Sequence, residues 1–145
     1  GGVCDVGVES TIIDCTSDVP KILRPGAITE EMITKSTELS VIGVVENSTI
    51  RVSGSLDAHY APAATVLLDQ TPQSGQGFIA MADIVASNGV IRLAAPTTHE
   101  EFARVLYSAL RAADGQGLEA VVVHQPHGDG IAIAIRDRLI RAAHR

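Results

Sequence analysis

The chain has 145 residues, enough for one domain or two small ones, and its hydrophobic fraction of 46% excludes wholesale disorder. With no Trp and only two each of Phe and Tyr, a core must be built from Val, Ile, Leu and Ala, the usual filling of α/β sheets. The net charge of −6 lies mostly early: residues 1–46 carry eight acids against three bases and residues 64–145 eight against seven, so neither part is a basic platform for nucleic acid.

Cys4 and Cys15, with no second pair, fit neither a disulfide framework nor a zinc site and point to a reduced, cytoplasmic setting. No apolar run approaches the length of a membrane span, and GGVCDVGVES lacks the regions of a signal peptide. There is no Met at position 1 and the chain opens as if mid-domain, so a fragment is expected, with its missing sheet partners upstream of Gly1. Residues 8–15 (VESTIIDC) are β-rich, and Lys21–Leu23 is a shorter strand-like run ending at Arg24-Pro25-Gly26. Arg24 precedes a proline and is pushed toward extended backbone, and Pro-Gly suits a tight turn in which Gly accepts positive φ. Thr29 followed by Glu30 and Glu31 predicts the start of a short helix, and Val41–Val45 another strand.

From Asn47 to Ala63 the sequence is polar and irregular, punctuated by Gly54 and Pro62. Short apolar runs at Thr65–Leu68, Phe78–Ala82 and Val90–Leu93 then predict strands. Thr98 and Glu101 match the capping-box spacing, and Phe102, Val105, Leu106, Ala109 and Leu110 recur on one helical face until Gly115 and Gly117. Ala120–Val123 is a buried-type strand, Asp129 is the predicted N-cap, and residues 131–143 form a closing helix. Its Arg136, Arg138, Arg141 and Arg145 gather toward the negative end of the helix dipole. Strand–helix–strand–helix order predicts a small three-layer α/β unit with some parallel pairing.

Gly128-Asp129-Gly130 falls between strand and helix like a G-x-G-x-x-G fingerprint, but its third position is Ile133, so it reads as flexible helix entry. The histidines at 59, 99, 124, 127 and 144 have no ligand partners at metal spacing, and there is no G-x-S-x-G elbow. Three residues have both a plain and a functional reading. Ser10 sits with Thr11 in a β-type run, where hydroxyls make cross-strand bonds or touch a ligand. Arg24 is either a solvated charge or a guanidinium aimed by a rigid turn at phosphate or carboxylate. Tyr60 is an aromatic inside a polar linker, either an anchor or part of a lid.

Their order decides between these readings. GG-CDVGVESTIIDC, then KILRPGAIT, then HYAP, then a small α/β domain ending in GIAIAIRDRLIRAA resembles, over essentially the whole chain, the two-domain threonylcarbamoyl-AMP synthase family. The resemblance implies an α/β fold: the tail of a YrdC-like catalytic domain (1–46), a linker or lid (47–63) and a Rossmann-like accessory domain (64–145). It implies a nucleotidyltransferase that makes threonylcarbamoyl-AMP and pyrophosphate from L-threonine, bicarbonate and ATP, with Mg²⁺, for the N6-threonylcarbamoyladenosine modification of tRNA. Other tRNA-threonylcarbamoylation proteins are then indirect partners, with no direct nucleic-acid or membrane contact from this piece. It places Ser10 at the threonine site and Arg24 and Tyr60 at ATP, the linker folding back to keep water from a labile carbamate and mixed anhydride. Residues 1–145 alone are expected to be inactive, no catalytic residue or metal ligand being assigned in them. In the linker the chain departs from the family: Ser55-Leu56-Asp57-Ala58 stands where many members carry a basic, Met- and Tyr-containing stretch. The alternative from a different class is a non-catalytic nucleotide- or anion-binding regulatory module, with Gln125–Gly130 holding an anion at the last helix's N-terminus.

Overall fold

A computed structural model of the chain describes residues 6–44 and 62–144. Most of the polar linker, Tyr60 included, lies outside the described residues.

The first part contains β1 (Ile12–Asp14), β2 (Lys21–Arg24) and α1 (Glu30–Thr37). The two strands pair antiparallel, Ile12 facing Arg24 while Ile13 faces Ile22. Two residues of β2 therefore oppose one of β1, a bulge of the kind that re-aims a side chain. Strand β1 is shorter than the 8–15 run predicts. Thr11 stands before it because its hydroxyl serves another segment, donating to the Ile28 carbonyl (2.6 Å) and accepting from the Ile28 N–H (3.1 Å). The predicted strand at 41–45 reduces to one bridge, Ile42 to Lys21, and Val45 lies outside the described residues. Ile42 and Val44 are exposed, so among the described residues no packed face extends that pairing. Helix α1 starts as predicted: Thr29 is its N-cap, accepting from the Met32 N–H, with Glu30 and Glu31 in the first turn.

The second part runs β3 (Thr65–Leu68), β4 (Gly77–Ile79), β5 (Ile91–Ala94), α2 (His99–Gly115), β6 (Ala120–Val123), α3 (Ile131–Ala143). Its four strands are parallel throughout, in the order β3-β6-β4-β5. Alternation along the strands sorts side chains onto two faces. Val66, Ile79, Val121 and Val123 meet Phe102, Leu106, Leu110, Ile135 and Leu139 of the two helices in the main core. On the other face Phe78, Ala80 and Val122 are covered by Ile84, Ala86 and Val90 of the β4–β5 connection. The α/β class with parallel pairing is the one the element order predicts.

Strand β4 stops at Ile79 rather than Ala82 because Arg92 of β5 takes the next carbonyls. Its guanidinium donates to Ala80, Met81 and Ile84 (2.8, 2.8 and 2.7 Å) and lies 4.9 Å from the Phe78 ring centroid. Desolvation there lowers its pKa below the ordinary arginine value.

The predicted cap of α2 holds at Thr98 but not in its reciprocal half, and the predicted cap of α3 moves by one residue. At α2, Thr98 accepts from the Glu101 N–H (3.1 Å), but the Glu101 carboxylate returns to Thr97, accepting from its N–H and hydroxyl (2.7 and 2.8 Å). At α3 the N-cap is Gly130, with φ 64° and no side-chain cap, while Asp129 contributes only its carbonyl, to the Ala132 N–H. The left-handed turn that starts this helix belongs to the residue without a Cβ, which displaces Asp129 from the capping place.

The two parts share one core. Val8 and Ala27 pack into the cluster between sheet and helices. Gly7 lies so close to α2 that a Cβ would come within 2.2 Å of the Ala103 backbone.

Candidate functional site

Arg24 occupies the bulged end of β2 and is only 6% exposed. Its Nε donates to the Ser10 carbonyl (3.2 Å), and Nη2 donates to that carbonyl (2.9 Å) and to the Ser10 hydroxyl (3.2 Å). Nη1 is paired with Glu9 Oε2 at 2.5 Å. The plain reading of Arg24 as a solvated charge therefore fails: the bulge and the Pro25 turn direct the side chain inward onto the residues before β1. Gly26 makes that approach possible in a way the sequence did not suggest. Its φ is not positive; instead, a Cβ would lie 2.3 Å from the Glu9 carbonyl and 2.4 Å from the Thr11 nitrogen. Backbone meets backbone there, and the Ala27 N–H donates to the Glu9 carbonyl (3.3 Å).

Ser10 stays exposed, with its hydroxyl oriented by Arg24. The structure thus brings together two of the three candidate residues, and the third, Tyr60, lies outside the described residues. The Pro25–Gly26 turn also borders a cavity of about 650 Å³, between α1 and the start of α3, reached by Thr29, Lys35, Gly130 and Ile133.

Sequence reasoning missed the other side of Glu9. Its Oε1 accepts from Arg138 Nη2 at 2.7 Å, and Arg138 Nε donates to the Tyr107 hydroxyl at 2.7 Å. Sequence position groups Arg138 with three other arginines as a helix-dipole charge, yet it is 3% exposed and reaches Glu9 in the first part of the chain. Its neighbours behave locally: Arg136 donates to the Pro126 carbonyl and Arg141 pairs with Asp137 one turn back. Glu9 and Arg138 are 129 positions apart, so no local spacing signals the pair. A carboxylate between two guanidiniums at this depth has lost much of its hydration, and deleting one partner of such a pair costs roughly 3–5 kcal/mol.

A second cavity, about 610 Å³, lies at the carboxyl ends of the parallel strands between Asp69, Met81, His99, His124, Gln125 and His127. Asp69 accepts from both the backbone N–H and the side-chain amide of Gln125, which fixes the start of the 125–130 loop. Among the described residues no group of three or more His, Cys, Asp or Glu side chains could hold a metal ion, and no helix is long and apolar enough to cross a membrane.

Residues 28–144 match the family model for the threonylcarbamoyl-AMP synthase C-terminal domain. The chain belongs to that family. Threonylcarbamoyl-AMP synthase of Bacillus subtilis (strain 168) is 29% identical across 99% of this chain and 47% of the relative. Its counterpart in Pyrococcus abyssi is 30% identical across 99% and 48%. The chain spans about half the length of the curated synthases it matches. Among solved structures, P. abyssi Sua5 complexed with L-threonine superposes with a TM-score of 0.79 at 29% identity, over 99% of this chain and 48% of that one. A second structure of that protein, with an adjacent His–Tyr pair changed to alanines, has a TM-score of 0.71 at 25% identity over 96% and 46%. Glu9, Ser10 and Arg24 precede the residues matched by the C-terminal family model but fall within the longer matches to whole synthases.

Proposed function

We propose that the chain forms the C-terminal part of an L-threonylcarbamoyladenylate synthase, with residues 1–46 completing a catalytic domain, 47–63 serving as a lid and 64–145 as an accessory domain. The observation that carries this reading is the Ser10–Arg24 pair. A buried guanidinium fixes an exposed hydroxyl at 3.2 Å, in a chain 99% of which aligns with about half of a synthase. The L-threonine bound by the archaeal relative supports a threonine site at Ser10. His59-Tyr60 is the chain's one His-Tyr dipeptide, and an adjacent His–Tyr pair is what was altered in the second archaeal structure, which supports a functional role for the dipeptide. Exposed Val19, Ile28, Met32, Leu39, Ile42 and Val44 give residues 6–44 an apolar surface for the remainder of the catalytic domain.

In this reading the threonine amine is carboxylated by bicarbonate with loss of water. A carbamate oxygen then attacks the ATP α-phosphorus and pyrophosphate leaves. Ser10 orients threonine, Arg24 secures the wall that carries Ser10 and meets the nucleotide, and Tyr60 closes over it. Such chemistry depends on placement and on compensation of phosphate charge rather than on a protein nucleophile. Among the described residues no cluster of His, Cys, Asp or Glu side chains would hold Mg²⁺. The product serves tRNA modification by other proteins, and this chain touches no RNA.

Pyrophosphate release with L-threonine, bicarbonate and ATP tests the assignment. The full-length gene product turns over and residues 1–145 alone do not. Ser10→Ala raises KM for threonine about tenfold, the loss of one substrate hydrogen bond of about 1.4 kcal/mol. Robust turnover by residues 1–145, or none by the full-length protein, refutes it.

A further inference from the structure

We propose that Arg138 on α3 and Tyr107 on α2 are positioning residues for the Ser10–Arg24 pair, acting through Glu9. The inference rests on the functional reading above and adds the accessory domain to its site. The path is continuous. Tyr107 on α2 accepts from Arg138 Nε on α3, Arg138 Nη2 donates to one oxygen of Glu9, and the other oxygen pairs with Arg24, which holds the Ser10 carbonyl and hydroxyl.

The geometry makes this more than a fastening between two parts. Arg24 and Arg138 are 6% and 3% exposed, so neither guanidinium can swing into solvent. The Glu9 carboxylate is shared, so its place is set by both arginines, and moving one partner moves the other. Glu9 is also the immediate neighbour of Ser10, so its displacement is passed directly to the backbone that carries the hydroxyl. Tyr107 also holds Arg138, its hydroxyl accepting from Nε and its ring centroid lying 5.9 Å from the guanidinium carbon. Simple adhesion between the parts is already supplied by Val8, Ala27 and the contact of Gly7 with α2.

Two readouts on the full-length protein test the proposal, one of them independent of catalysis. Arg138→Met raises KM for L-threonine and ATP together, three- to tenfold, with kcat changed less than twofold. Arg138→Lys recovers part of that loss, and Arg138→Met combined with Glu9→Gln is no worse than Glu9→Gln alone. Arg141→Met, one turn further along α3 and paired with Asp137, is the control and leaves both KM values unchanged. In the second readout the ¹⁵Nε–¹Hε resonance of Arg24, assigned by its disappearance in Arg24→Lys, shifts and broadens in Arg138→Met. A fall in kcat or in the amount of folded protein at unchanged KM, additive double-variant effects, or an unmoved Arg24 resonance overturns the linkage. A wild-type protein that releases no pyrophosphate, with the resonance still responding to Arg138, rejects the functional reading and retains the linkage.

Discussion

At the scale of single residues, the site depends on what can approach Ser10 from behind. Arg24 supplies the donors, but Gly26 supplies the room, since the turn lies directly on the Glu9–Thr11 backbone. The unit Arg24-Pro25-Gly26 was legible in the sequence as a rigid turn presenting an arginine. Its direction was not, because the inward aim comes from a bulge defined only once β1 and β2 pair. Arg92 was hidden for a similar reason: an arginine in a strand run reads as pointing to solvent, and its carbonyl partners exist only after the 80–84 connection folds over Phe78. Gly26→Ala forces a Cβ against backbone that has no flexible side chain to yield. Overpacking of this kind costs about 1–3 kcal/mol. Urea unfolding is expected to show a loss of that size, with the Arg24 resonance displaced as well; an alanine tolerated without cost would mean that the turn sits further from Glu9.

At the scale of elements, local chemistry was readable wherever it stayed local. The Thr29 cap, the Thr98 cap and the end of α2 near Gly115 and Gly117 all follow from neighbours within a turn. Strand lengths were less readable, because Arg92 and the bulge end or deflect pairing from outside the strand concerned. Glu101 shows how a local motif turns into a pH response. The Thr97 N–H, the Thr97 hydroxyl and the nearby Arg104 favour its ionised form, so its carboxyl titrates below the ordinary glutamate value in the folded chain. A depressed folded-state pKa gives stability that is fully present above the unfolded value and is lost as pH falls through the folded one. Glu101→Gln is thus expected to melt below wild type at neutral pH, by a margin steady above the ordinary glutamate pKa of about 4.3 and closing as pH falls through the lower folded value. Calorimetry across that range checks it, and a margin that widens on acidification would contradict the assigned sign.

At the scale of the whole molecule, the element order announced an α/β unit after a polar stretch, but not the strand order β3-β6-β4-β5, which depends on which edges find partners. Nor did it reveal that the first part, too small to enclose a core, borrows one. Val8 is 7% exposed inside the cluster built by the sheet, α2 and α3, while Glu9 beside it reaches Arg138. A side chain so placed couples the two parts energetically as well as spatially. Removing two methyl groups from a buried valine forfeits their transfer free energy plus the cavity they leave, about 1–3 kcal/mol. If the parts fold as one unit, Val8→Ala moves the entire unfolding transition of the chain downward, and helix signal from α2 and α3 is lost at the same denaturant concentration as the Arg24 resonance. If residues 6–44 melt separately, the Arg24 resonance disappears first while the helices persist at their wild-type midpoint. That result would remove the physical basis for any influence of the far domain on Ser10.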